Sequence, residues 1–203
     1  MPGGGDAHDD LAVATPRRSR MTDQRPPAQP RVLLLREVSF DAAAALLAAY
    51  GLQLHAVADG APIPGSYWGE PEAGIVGIHV HARGDTPVHS LLHEACHLIV
   101  LPAERRAAVH TDATDSVAEE DAVCLLQALL GDALPGVGRD RVFSDMDAWG
   151  YTFRLGSARA YFEHDADAAW DWLRERGLVD AGRLLLVPGA TPRSAPLPDH
   201  AAP

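Results

Sequence analysis

The stretch that decides the fold is residues 86–102, TPVHSLLHEACHLIVLP. Thr86 as an N-cap and Pro87 at the first helical position predict where a helix begins, and Pro102 predicts where it ends. Most positions between these signals are apolar, which is typical of a helix that is buried on nearly all sides. The sequence therefore predicts a core helix, around which the rest of the domain has to pack.

This helix contains the pattern His93-Glu94-Ala95-Cys96-His97. The two imidazoles, four residues apart, project from the same face one helical turn apart. That spacing allows both to reach one zinc ion at about 2.0–2.1 Å. Glu94 can contact a water on that ion without ligating the metal, and so act as a general base.

A catalytic zinc site has three protein ligands and leaves its fourth position for water. The third ligand is expected from the next predicted helix, which covers residues 116–130 and is closed by Gly131. Glu119 shares its face with the apolar stripe of that helix, where an unpaired acid is costly. We therefore favour Glu119 as a ligand. Glu120 remains an alternative, because Ser116-x-x-Glu119 also fits a capping box.

Around these two helices the sequence predicts short strands and further helices, and hence an α+β fold. The predicted strands are VLLL within residues 31–40, residues 52–58, residues 75–82 and residues 183–187. Three other helices are predicted. The first begins after its N-cap Asp41, the second covers parts of 144–163, and the third runs over 166–176. One domain of residues 31–187 is expected between two Pro- and Gly-rich tails, residues 1–30 and 188–203, which cannot bury enough apolar surface to order themselves.

The pattern HEACH followed by Glu119-x-x-Ala122 resembles the small HExxH zinc metallopeptidases of the gluzincin kind. These include the ImmA/IrrE-type peptidases and the Glu-x-x-Ala-Asp integral-membrane peptidases. The resemblance implies a minimal zincin-like fold, with His93, His97 and Glu119 as zinc ligands and Glu94 as the base. Val123 stands where those families usually place Asp or Asn, so a partner for the ligands is either missing or supplied elsewhere.

The chemistry expected of such a site is hydrolysis of a peptide bond by zinc-activated water. A further donor has to stabilise the oxyanion, and the candidates are His79, His110, Tyr151 and Arg154. The predicted strand before the zinc helix, residues 75–82, is expected to pair with an extended substrate peptide by strand addition.

Composition restricts the partners and the compartment. The chain has 203 residues with 17 arginines, no lysine, 28 acids and a net charge of −11, which argues against a general phosphate-backbone binder. No apolar run reaches about 18 residues, so we expect no membrane span. With two cysteines and no apolar leader in the first 20 residues, we expect a cytoplasmic protein acting on a peptide or protein. The oligomeric state is left open.

Two other interpretations remain open at this point. The first is a zincin-fold protein that regulates by binding and does not catalyse. The second is a purely structural zinc site, in which His93 and His97 are joined by Cys96 and Cys124.

Overall fold

The computed structural model describes residues 31–67, 69–111 and 116–189, and in this part of the chain helices and a small sheet form an α+β fold. The helices are α1 (Phe40–Ala49), α2 (Val88–Val100), α3 (Ala103–Arg106), α4 (Val117–Ala133), α5 (Arg139–Trp149), α6 (Ala158–His164) and α7 (Asp167–Glu175). The strands are β1 (Gln53–Ala56), β2 (Gly74–Val76) and β3 (His79–Ala82). The predicted α+β class is confirmed. The predicted tail 1–30 and nearly all of the tail 188–203 lie outside the described residues.

The core is built around α2 and α4, which pack against each other. Every residue of α2 except His93 is buried, and so is the continuous α4 segment 122–131. Further apolar surface is supplied by α5 and α7, which pack on α4. Each fully buried leucine or valine in such a contact contributes about 1.5–3 kcal/mol. In the described part of the chain no helix is both long and apolar enough to cross a membrane.

The sheet has the order β1-β3-β2, with β1 parallel and β2 antiparallel to β3. The prediction of one strand over 75–82 is wrong, because the chain turns back at Gly77, whose φ of 61° suits glycine. As the central strand, β3 hydrogen-bonds to a neighbour on each side. β3 therefore has no free edge for the expected addition of a substrate peptide, which stays a prediction for the edge strand β2.

The predicted strand at VLLL does not form. Only Leu34 makes an isolated bridge, to Pro87, and the chain then enters a 3-10 helix over Leu35–Glu37. The segment is instead tied to the start of α2, where the Val88 amide donates to the Leu33 carbonyl at 2.8 Å. Pro87 is the N-cap of α2, one position later than predicted for that cap.

Other predicted boundaries are corrected in the same way. Ser39, and not Asp41, caps α1, since its side chain accepts a hydrogen bond from the Ala42 amide. The single helical stretch predicted within 144–163 is two helices, because α5 ends at Gly150 in a left-handed conformation, with φ of 105°. Residues 183–187 form no strand, and their one bridge joins Val179 to Leu185.

Gly131 lies inside α4 and does not close it as predicted. A Cβ at this position would be 2.7 Å from Val142 Cγ2 and 3.1 Å from the Gly138 carbonyl oxygen. Because both distances are shorter than ordinary contacts, only glycine lets α5 approach α4 this closely.

We predict that Gly131→Ala destabilises the protein by about 1–3 kcal/mol through overpacking, although alanine is the better helix former by about 1 kcal/mol. Urea unfolding followed by circular dichroism measures the change. In a Val142→Ala background the loss should be smaller, because the nearest clashing atom is gone. An equal loss in both backgrounds, or a gain in stability, would contradict this account of the α4–α5 contact.

Candidate metal centre

The contact between α2 and α4 brings His93, His97 and Glu120 together. The Nε2 atoms of the two histidines are 3.1 Å apart. Glu120 Oε1 lies 3.3 Å from His93 Nε2, and its Oε2 lies 3.4 Å from His97 Nε2. Ligand atoms of the three residues all lie within 4.8 Å of one another, so the group could hold a metal ion.

The local sequence accounts for each placement. The two histidines are one turn apart on α2, with their ring centroids 4.6 Å from each other. Glu120 is in the first turn of α4, whose start is set by Ser116, since its side chain accepts from the Glu119 amide. Packing of the apolar faces of the two helices then brings that first turn opposite the imidazoles.

The carboxylate that reaches the histidines is Glu120, and the expectation that Glu119 does so is corrected. Successive residues of a helix are separated by about 100° of rotation, so the two side chains leave α4 in different directions. Glu119 instead lines a separate cavity of about 460 Å³, together with Arg105, Arg106 and Arg176 among others. One of its carboxylate oxygens, Oε1, is buried there without a hydrogen-bond partner.

Gln127 is also part of the site, although no motif in the sequence pointed to it. Its Oε1 atom accepts a hydrogen bond from His93 Nδ1 at 2.8 Å. This bond places the imidazole proton on Nδ1 and leaves Nε2 free to face Glu120 and His97. Gln127 thus supplies His93 with the hydrogen-bond partner that the apolar side chain of Val123 cannot provide. The signal in the sequence that could have identified Gln127 is its position as the one amide in the apolar run CLLQALL, two helical turns after Glu120.

His97 is the more deeply buried of the two imidazoles. Burial, followed by the neighbouring His93, holds its pKa well below the usual value. It is therefore neutral at physiological pH, which is the form that ligates metals. Its Nδ1 atom is buried and has no hydrogen-bond partner.

His89 is a second residue that the sequence analysis did not use, although it lies one turn before His93 on the same stripe of α2. It is 1% exposed, and neither ring nitrogen has a hydrogen-bond partner. Burial first, and then His93, lower its pKa to about 3. Its ring packs against Trp149 and Tyr151, with centroids 5.2 and 5.9 Å away. A neutral imidazole thus forms part of the aromatic wall beside the metal-binding group.

Glu94 is only 6% exposed, in the turn of α2 between the two histidines. Tyr151 packs edge-on against His93 with ring centroids 6.1 Å apart. Burial is the main cause of a raised Tyr151 pKa, and Cys124, Glu120, Glu72 and Glu94 add to it. The phenol is therefore protonated at neutral pH.

The other three candidates for an oxyanion donor have partners of their own. Arg154 forms an ion pair with Asp165 at 2.6 Å. His110 Nδ1 is 2.7 Å from the Thr111 hydroxyl, and His79 Nδ1 is 2.8 Å from His55 Nε2. Of the candidates named from the sequence, Tyr151 is the one packed against a histidine of the centre.

Cys96 and Cys124 are both buried free thiols. Cys124 Sγ is 3.8 Å from Glu120 Oε1, but within the described ranges neither cysteine belongs to a group able to hold a metal. Burial raises the pKa of each thiol well above its usual value, which opposes the thiolate that a metal requires. The arrangement therefore does not favour a closed site with cysteine ligands.

We predict that Glu120→Gln lowers zinc affinity at least about tenfold while Glu119→Gln leaves it unchanged, since only Glu120 faces the imidazoles. The measurement is zinc affinity by competition with a coloured chelator, with zinc per chain from elemental analysis. The two variants are matched, because they make the same isosteric change at adjacent positions. A loss of affinity in Glu119→Gln alone would restore Glu119 as the ligand.

No protein-family model, no curated protein and no solved structure matches this chain. What the centre does therefore has to be inferred from its own geometry and chemistry.

Proposed function

We propose that the protein is a zinc-dependent hydrolase, and specifically a metallopeptidase with a minimal zincin-like domain. The observation that carries the proposal is the convergence of two imidazoles and one carboxylate next to the buried Glu94. Two histidines and one glutamate are the ligand set of zinc peptidases whose fourth position is open to water.

The spacing of the donor atoms supports zinc as the ion. Ligands placed about 2.0–2.1 Å from a tetrahedral ion are separated from one another by about 3.3 Å. Here the two Nε2 atoms are 3.1 Å apart, one Glu120 oxygen is 3.3 Å from His93 Nε2, and the other Glu120 oxygen is 3.4 Å from His97 Nε2. Neutral imidazole and carboxylate are also donors that zinc prefers. His93, His97 and Glu120 would hold the ion, and Gln127 would orient His93.

A zinc ion held by these residues would polarise the substrate carbonyl and lower the pKa of a water. Within the proposal, Glu94 accepts the proton of the attacking water and delivers it to the leaving amine. The protonated phenol of Tyr151 donates a hydrogen bond to the developing oxyanion. The aromatic wall of His89, Trp149 and Tyr151 excludes water from one side, which strengthens these interactions.

The same proposal includes the compartment and the substrate class. A cytoplasmic location is part of the proposal, and two buried free thiols are compatible with such a reducing compartment. Peptides or proteins are the proposed substrates. The net charge of −11 continues to disfavour nucleic acid as a partner.

Glu94→Gln is expected to reduce hydrolysis by at least about 100-fold, because a general base contributes about 10²–10⁴ in rate. Zinc content should stay at the wild-type level, since Glu94 is not a ligand. The assay uses the zinc-loaded full chain and a pool of dye-quenched peptides of mixed sequence, and Glu119→Gln serves as the control that retains activity. Equal rates for Glu94→Gln and the wild type would contradict the mechanism. Absence of hydrolysis by zinc-loaded wild type would favour the non-catalytic alternative.

Tyr151→Phe is expected to lower kcat about 100-fold with little change in KM, as loss of one oxyanion donor does in other hydrolases. The phenyl ring preserves the packing against His93, so zinc affinity should not change. Steady-state kinetics on one peptide selected from the pool give both constants. An unchanged kcat would assign Tyr151 a packing role only.

A further inference from the structure

The cavity lined by Glu119 lies where four helices meet, outside the metal-binding group. Its walls come from the end of α2, from α3, from the first turn of α4 and from the residues that follow α7. Its volume of about 460 Å³ is within the usual range for small-molecule sites, about 300–1,000 Å³. None of His93, His97 and Glu120 lines it. The proposed hydrolysis therefore leaves this cavity without a role.

The charged side chains that line the cavity are unequal in sign. Three guanidinium groups, those of Arg105, Arg106 and Arg176, face one carboxylate, that of Glu119. These described residues give the cavity an excess of positive charge, although the whole chain carries a net charge of −11. Arginines in a cleft favour an anionic group, and a planar carboxylate matches a guanidinium through two parallel hydrogen bonds. The cavity is therefore suited to a ligand that carries a carboxylate.

The three arginines differ in how many of their donors are free. Arg106 is held by three backbone carbonyls at 2.8–3.2 Å. Arg176 donates to the Trp172 carbonyl at 3.3 Å and stacks on the ring of that residue. Within the described part of the chain, the Arg105 guanidinium makes no hydrogen bond or ion pair. Arg105 and the remaining donors of Arg176 are therefore free to bind an anion.

The Glu119 carboxylate is not neutralised by the arginines around it. Among the residues that the structure describes, no cation forms an ion pair with Glu119, and its Oε1 atom is buried without a hydrogen-bond partner. An unmatched carboxylate oxygen away from water is costly, and an ammonium group in the cavity would satisfy it. The terminal torsion of glutamate is broad, so a small rotation turns either oxygen toward a ligand.

The rest of the lining is mostly apolar. Three consecutive residues at the end of α2 and one after α7 contribute branched aliphatic side chains, namely Ile99, Val100, Leu101 and Leu178. Covering this surface with an apolar group removes it from water, which is favourable. The cavity thus combines donors for a carboxylate, an acceptor for an ammonium group and an apolar wall.

We propose that this cavity binds a free α-amino acid with an apolar side chain. The ligand carboxylate pairs with Arg105 and Arg176, its ammonium group pairs with Glu119, and its side chain covers the apolar wall. An inorganic anion would satisfy the arginines but would leave Glu119 unpaired, so a zwitterion fits the charges better. The proposal does not depend on hydrolase activity, because the cavity shares no residue with the metal centre.

Isothermal titration calorimetry of the full chain with L-leucine and with L-phenylalanine tests the binding. Two analogues, N-acetyl-leucine and leucinamide, each lack one of the two charges of leucine. Each analogue is expected to bind the wild type at least about tenfold more weakly than leucine, because one hydrogen bond between charged groups is lost. Inorganic phosphate, which has no ammonium group and no apolar part, should also bind more weakly than leucine.

Variants assign each charge of the ligand to one residue. Glu119→Gln should weaken leucine binding at least about tenfold without weakening that of N-acetyl-leucine, which has no ammonium group. Arg105→Gln should weaken leucine binding and spare leucinamide for the corresponding reason. Glu104→Gln is the matched control, because it changes an exposed acid of α3 that does not line the cavity, and it should bind leucine as the wild type does.

No binding of either amino acid up to about 10 mM would overturn the proposal. Phosphate binding as tight as that of leucine would do so too, and so would equal losses for leucine and N-acetyl-leucine in Glu119→Gln. Leucine binding that disappears when EDTA removes metal would place the amino acid at the α2–α4 centre, which also contradicts the proposal. Circular dichroism verifies that the variants fold, and if they do not, the analogues decide on the wild type.

A negative result here leaves the zinc prediction for Glu120 and the hydrolysis prediction for Glu94 standing. Since the cavity lies outside the metal centre, Glu119→Gln keeps its use as the control that retains hydrolysis.

Discussion

The packing of α2 on α4 around three polar side chains is the contact on which the other features depend. It buries the apolar faces of both helices, and it also determines which residue of α4 faces the two histidines. The sheet, which contacts α2, and the helices α5 and α7, which pack on α4, cover further apolar surface of this pair. A change in the rotation of α4 by one residue would keep much of the apolar burial but would separate Glu120 from the imidazoles.

This contact is not optimised for stability alone. His97 Nδ1, Gln127 Nε2 and both nitrogens of His89 are buried without hydrogen-bond partners. Each such atom costs about 1–3 kcal/mol relative to a solvated one. The surrounding leucines offset that cost through burial, at about 1.5–3 kcal/mol for each side chain. Local violations of this kind, concentrated around one cluster of ligating groups, are what functional sites produce.

The two histidine groups show how the surrounding structure changes the chemistry of one residue type. On α2 the imidazoles are enclosed in the core and share a glutamate, so their environment combines low polarity with a negative charge. On the sheet the imidazoles of His55, His79 and His81 are partly exposed, and His55 contacts both of the others. The first setting suits a metal ion with a mixed set of nitrogen and oxygen ligands.

The sequence alone determined the features that are set within one helix. The four-residue spacing of His93 and His97 places both rings on one face whatever the helix packs against, and Ser116 caps α4 through a bond to its own first turn. Only the tertiary structure decided between Glu119 and Glu120, because that choice depends on the rotation of α4 against α2. It also determined that VLLL forms no strand and that residues 75–82 are divided between two strands. A short apolar run becomes a strand only where another part of the chain pairs with it. Local spacing is encoded in neighbouring residues, whereas the pairing of surfaces is a property of the whole packed core.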